Sequence, residues 1–201
     1  MAKRRDRPAP TEPAPSLTFR ASALMPAVTY TIGKDQLGVE DQNGGKTTIS
    51  LRKATELRIW FEPRRFQSNR FRASMTLDDH KTVEFTNLSA KAVARWEDVG
   101  PDYRAFIIAL GEAIARRNPD AVFRTGFGPT MWIVHLCVVA VLYVALVGGG
   151  IWFMAQGVAW LGLAGLFIAA IYTVTLWRML TRNRPGLYNP AEPPDFALPK
   201  P

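Results

Sequence analysis

Between Thr125 and Trp177 the chain runs for 53 residues without a Lys, Arg, Asp or Glu, and no other feature constrains its fold as tightly. A helix on the surface of a soluble domain needs a polar face, and a half-buried strand needs polar alternation, so an uncharged run of this length fits neither. The 21 basic and 15 acidic side chains before the run, with the 4 and 2 after it, account for the whole net charge of +8. The mean hydropathy of −0.02 therefore averages a polar majority with a lipid-soluble stretch, and the pattern argues against a wholly soluble protein.

The uncharged run divides into two spans of the roughly twenty residues that a hydrocarbon core demands. The first is expected from Thr130 to about Met154 and the second from Gly157 to Trp177, with Gln156-Gly157 at the turn. Gly148-Gly149-Gly150 offers the first helix an earlier end, which would leave Ile151 to Met154 as an interfacial turn. Trp132, Trp152, Trp160 and Trp177 fall near predicted helix ends, where indoles favour the headgroup zone. Arg116, Arg117 and Arg124 precede the hairpin, Arg178, Arg182 and Arg184 follow it, and the loop between has no basic residue. The positive-inside rule then predicts two cytoplasmic termini, and in a bacterium an inner-membrane protein. A pI near 10.0 reads as topology rather than as a nucleic-acid signal, and no nucleic-acid partner is expected.

Residues 1–16 combine four prolines with Lys and Arg, and Pro and Glu stand where a signal peptide would need an apolar stretch, so a disordered lead-in is expected. From Leu17 to Asn87 apolar residues alternate with polar ones, as in Val28, Tyr30 and Ile32, or Leu57, Ile59 and Phe61, or Phe71, Ala73, Met75 and Leu77. Turn signals at Gly33-Lys34-Asp35-Gln36, Asn43-Gly44-Gly45 and Asp78-Asp79-His80-Lys81 separate them, which predicts an antiparallel meander of six or seven strands. After Gly100-Pro101 the period changes. Tyr103, Phe106, Ile107, Leu110 and Ile114 make one face of an amphipathic helix ending at Asn118-Pro119, with Asp102, Arg104, Glu112 and Arg116 on the other. Residues 17–118 are thus one domain, 119–129 a linker, 130–177 the hairpin, and 178–201 a tail with six prolines from Pro185 onward, expected to run extended or disordered.

The stretch VTYTIGKDQLGVE, followed by TTISLRKATELRIWF, resembles bacterial membrane proteins with a pleckstrin-homology-like (PH-like) domain. The span RWEDVGPDYRAFIIALGEAIARRNPDAVF is similar to uncharacterised bacterial two-helix membrane proteins in which a sheet domain ends in such a helix before the membrane. The resemblance implies an α+β fold, a PH-like antiparallel barrel or sheet with one C-terminal helix, and then a transmembrane hairpin. Phosphoinositide-binding members place clustered basic residues where this chain has Gly33-Lys34-Asp35-Gln36, so no lipid-binding residue carries over. The group supplies no catalytic residue either.

Three constellations remain. Arg64, Arg65, Arg70 and Arg72 surround Phe66 and Phe71 in one hairpin, a candidate contact for an anionic leaflet or an acidic partner, or else a solvated face with Phe71 in the core. Gly165, Ala169 and Thr173 form a small-residue stripe suited to close packing against the first span, or to homo- or hetero-oligomers. His135 lies inside the first span without a membrane carboxylate, and Cys137 is expected to pack as a small apolar residue. The pairs Asp78-Asp79 and Glu97-Asp98 read as turn and cap residues. No catalytic site, metal cluster or cofactor motif is legible, so no cofactor and no enzyme activity are expected. The function expected is a non-catalytic membrane-tethered scaffold that binds a protein partner and anionic lipid headgroups. An oligomeric transporter or channel subunit and a membrane enzyme without motif are the alternatives.

Overall fold

The computed structural model describes residues 14–63, 69–92 and 95–200, apart from the side chains at 174 and 175. The alternation in the first half becomes strands, and they divide between two sheets. β1 (Ser16–Phe19), β2 (Val28–Ile32), β3 (Gln36–Asp41) and β4 (Lys46–Ser50) form an antiparallel meander. Asp41 organises its last turn by accepting hydrogen bonds from the Asn43 and Gly45 N–H groups at 2.8 and 2.9 Å, while Gly44 takes a φ of 85° that disfavours residues with a Cβ. A single 3-10 turn at Leu51–Lys53 then leads into the second sheet, where β5 (Ala54–Phe61), β6 (Phe71–Leu77) and β7 (Thr82–Thr86) continue antiparallel. β8 (Leu88–Ala92) and β9 (Arg95–Asp98) make a separate hairpin.

The helix follows where the period shifts. α1 (Gly100–Arg117) starts where Asp98 accepts the Gly100 N–H at 2.9 Å, and it stops at Asn118, whose side chain donates to the Ala54 carbonyl at 2.9 Å. Tyr103, Phe106, Ile107, Leu110 and Ile114 are all buried, each worth about 2 kcal/mol by area. Aromatic rings join the three layers: Phe19 stacks on Tyr30, Tyr30 meets Phe85 edge-on at 5.0 Å, and Phe85 meets Phe106 at 5.5 Å. Among the described strands the two sheets do not close into a barrel.

The structure corrects two boundaries. Residues 119–129 are not a linker: they contain β10 (Val122–Thr125), which pairs parallel to β5 with Phe123 opposite Leu57. Four residues are too few for periodicity to register, and the strand is fixed by burial of Phe123 and Thr125. The Pro-rich tail is not free either. β11 (Gly186–Leu187) pairs with β10, Tyr188 packs edge-on to Phe123, and Ala197 and Leu198 enter the core. Proline suits this course, because a chain crossing a surface needs a fixed φ more than ladder hydrogen bonds.

Two helices are long and apolar enough to cross a membrane, α2 (Pro129–Ala155) and α3 (Ala159–Arg182). The triple glycine does not end α2. Its last residue, Gly150, is where the helices meet: a Cβ on Gly162 would stand 2.5 Å from the Gly150 carbonyl oxygen, and one on Gly150 would stand 3.1 Å from that of Gly162. Most other hairpin side chains face outward, including Val144, Phe167 and Ile171.

Candidate functional site

The described features that converge on a ligand-sized site gather at one end of the domain, where the hairpin attaches. β5 runs toward that end and finishes at Phe61, beside Asn183 just past the end of α3. The Asn183 side chain is fully buried and acts as one further strand residue: it accepts the Phe61 N–H at 2.9 Å and donates to the Phe61 carbonyl at 2.7 Å. Next to it the Gly126 N–H donates to the Ile59 carbonyl at 2.8 Å and the Phe127 N–H to the Asn183 carbonyl at 3.1 Å. Gly126 has a φ of 68°, and a Cβ there would collide with the Asn183 carbonyl. Both arms of the hairpin are thus hydrogen-bonded into the same strand. Trp132 adds a bond from its indole N–H to the Leu180 carbonyl at 3.3 Å.

Of the basic hairpin expected to contact lipid or partner, Arg64, Arg65 and Phe66 lie outside the described residues. The strands bracketing them end beside Asn183, with the Glu62 N–H bonded to the Arg70 carbonyl at 3.0 Å, and the Arg70 side chain is partly buried. Phe71 is in the core. Arg72 lies across the sheet face rather than in the loop: its guanidinium sits 5.3 Å from the Trp60 ring centre and pairs with Glu62 at 2.8 Å and with Glu84. Two carboxylates meet its single charge, so it presents no free cation.

Other cations do. A cavity of about 430 Å³ opens between the α1 N-terminus, the start of β6, the end of α3 and the tail, and Arg178, Arg182 and Lys200 line it. Arg182 rests on the Phe61 ring, 4.8 Å from its centre. The two carboxylates in the lining are already engaged. Asp98 accepts from the Gly100 N–H and from the Asn87 amide, both at 2.9 Å, and Asp195 pairs with Arg104 at 2.6 Å. In the sequence Arg178 and Arg182 stand out only as topology signals and Lys200 only as a charge of the tail; the spacing of Arg178 and Arg182 is the one further signal, since residues four apart share a helix face.

The remaining expectations resolve individually. Gly165 approaches the Leu146 carbonyl and Gly150 Cα, and Ala169 is buried, so both serve contact between α2 and α3 of one chain. Thr173 is exposed and its hydroxyl donates to the Ala169 carbonyl at 2.7 Å. His135 hydrogen-bonds the Met131 carbonyl oxygen at 2.7 Å and stacks on Phe127, and Cys137 is exposed rather than packed. Asp79 acts as a turn residue, accepting the Lys81 N–H at 3.2 Å, whereas the N-cap of α1 is Val99 and Asp98, one residue earlier, accepts the Gly100 N–H. Among the described residues no group of three His, Cys, Asp or Glu could hold a metal ion.

Two further features bear on function. The loop between β1 and β2 carries Leu24, 93 % exposed, and Met25, beside a cavity of about 290 Å³ floored by Phe19 and Tyr30. The buried Tyr103 and Tyr188 hydroxyls have no hydrogen-bond partner among the described residues, and burial pushes both well above the ordinary phenol value. No protein-family model matches the chain, and no curated protein or solved structure matches it significantly.

Proposed function

We propose that this chain is a membrane-anchored, non-catalytic interaction module of a bacterial inner membrane, in which a PH-like domain on the cytoplasmic face holds a protein partner and anionic headgroups beside the leaflet. The observation that carries this reading is the junction itself: the hairpin leaves the sheet through β10 and returns to it through Asn183 and β11, so the domain is fixed to two apolar helices rather than strung from them. A four-strand sheet, a three-strand antiparallel continuation and a closing helix, in that order, support the PH-like assignment. Basic residues flank the hairpin on both sides and are absent within it, which supports cytoplasmic termini. Anchoring by two helices is effectively permanent, so the domain needs no lipid ligand to stay at the membrane. Its surface is therefore available to a partner. Leu24 and Met25 are the natural contact, since exposed large apolar side chains in a loop favour burial against another protein.

The test has two arms. A reporter fused after Pro201 should show cytoplasmic activity, and periplasmic alkaline-phosphatase activity there would contradict the topology. A photocrosslinking residue in place of Leu24 should trap a protein of discrete mass in intact cells. Crosslinks to lipid alone would contradict the partner role.

A further inference from the structure

We infer that the cavity between α1, α3 and the tail is a binding site for the phosphate group of an anionic phospholipid, held by Arg178, Arg182 and Lys200. The inference rests on the membrane-anchored reading above and adds to it a site and a ligand class.

Three observations converge. First, the charge in the cavity is unbalanced. Among the described residues no carboxylate lies within ion-pair distance of Arg178, Arg182 or Lys200, whereas Asp98 and Asp195 are committed to the Gly100 N–H, the Asn87 amide and Arg104. Cations drawn together without an ion-pair partner gain from an anion between them, and guanidinium groups match the oxygens of a phosphate.

Second, the site is at headgroup depth. Trp177, 68 % exposed, ends the uncharged run directly before Arg178, and indoles settle at the boundary between hydrocarbon and headgroups. Arg182 follows four residues on, one helical turn and about 6 Å further from the hydrocarbon on the same face. A lipid lying against the outward-facing apolar surface of α3 brings its phosphate to that level.

Third, the cavity is built rather than incidental. The Phe61 ring braces Arg182, and Arg104 fixes the last residues of the tail by donating to the Pro199 carbonyl at 3.0 Å, which sets Lys200 at the rim. A volume of about 430 Å³ also falls within the ~300–1,000 Å³ range of small-ligand sites. Basic pockets beside transmembrane helices are the usual recognition mode for anionic headgroups.

The full chain in nanodiscs of phosphatidylcholine with graded phosphatidylglycerol tests this, with retained lipid read by native mass spectrometry. Wild type should retain phosphatidylglycerol in preference to phosphatidylcholine. Arg178→Gln combined with Lys200→Gln, which leaves the Arg182 ring contact intact, should reduce that preference about tenfold, and Arg178→Gln with Arg182→Gln by at least as much. Lys46→Gln with Arg116→Gln removes the same charge elsewhere and should leave it unchanged. Equal retention by wild type and both pocket variants would overturn the assignment, as would loss of equal size in the Lys46/Arg116 control. Inorganic phosphate is the remaining arm: displacement of the lipid by phosphate as complete as by added phosphatidylglycerol would make this a free-oxyanion site and overturn the lipid assignment. Nanodiscs offer the same lipids on both faces, so a failed topology reporter would remove the cytoplasmic reading and leave this result standing.

Discussion

Arg72 and Arg182 stand at the same end of the domain, each beside an aromatic ring, at 5.3 Å from Trp60 and 4.8 Å from Phe61. They differ in what else surrounds them. Arg72 lies on a sheet face between Glu62 and Glu84, so its charge is spent within the fold. Arg182 emerges where an uncharged helix stops, and its neighbours Arg178 and Lys200 share its sign. Arginine counts along a sequence do not separate these cases. What separates them is whether a carboxylate pairs with the cation: Glu62 and Glu84 do so with Arg72, whereas Asp98 and Asp195, which line the cavity, are engaged by other groups. The basic hairpin stands out in sequence because its four arginines fall between positions 64 and 72, while the uncommitted cations come from positions 178, 182 and 200 and meet only when the tail folds back.

The comparison depends on the junction, and the largest effect is expected there. Asn183→Ala leaves the Phe61 N–H and carbonyl buried without partners, a loss of about 2–4 kcal/mol that thermal unfolding in detergent should register. Next comes the tail. Leu198→Ala opens space beside the core and should cost about 2–3 kcal/mol; it should also weaken phosphatidylglycerol retention, because Lys200 is held only through the ordered tail. Arg72→Gln provides the sharpest contrast with the pocket variants. It removes the ion pairs to Glu62 and Glu84 and the contact with the Trp60 ring and should destabilise the domain by about 1–2 kcal/mol, yet leave anionic-lipid retention intact. A stable Arg72→Gln variant that had lost lipid would reverse the assigned roles.

The smallest effect concerns pH. Tyr103 is buried, and burial first, with Tyr188 nearby, raises its hydroxyl well above the ordinary value of 10.0. The folded state therefore keeps a proton that the unfolded state releases. Stability from this source is fully present below pH 10.0 and declines as pH rises beyond it. Tyr103→Phe should flatten that alkaline decline, which denaturant midpoints measured across the range would show, and an unchanged slope would place its origin elsewhere.

Much of this architecture is legible in sequence for definable reasons. Alternation over Ala54–Phe61 and Phe71–Leu77 gives strands because each has one buried face, Val28–Ile32 follows the same alternation with only Ile32 buried, and the 3.6-residue spacing from Tyr103 to Ile114 gives α1. The uncharged run gives the two apolar helices. Short elements whose partners are distant in sequence are not legible. Val122–Thr125 has four residues and Gly186–Leu187 two, and both are set by pairing rather than propensity. Asn183 looks like an ordinary helix-end residue until Phe61 is placed beside it, 122 positions away. The role of Gly150 is hidden for the same reason, since its partner Gly162 lies across the turn.

The hydrogen bonds at Asn183 should make domain and hairpin move as one body. Spin labels at Arg116→Cys and Gln156→Cys, in a Cys137→Ser background, measure this directly as a distance distribution in nanodiscs. One narrow peak in the wild-type junction, broadening in Asn183→Ala, is the predicted result. A broad distribution with Asn183 in place would mean that the junction does not hold the two together.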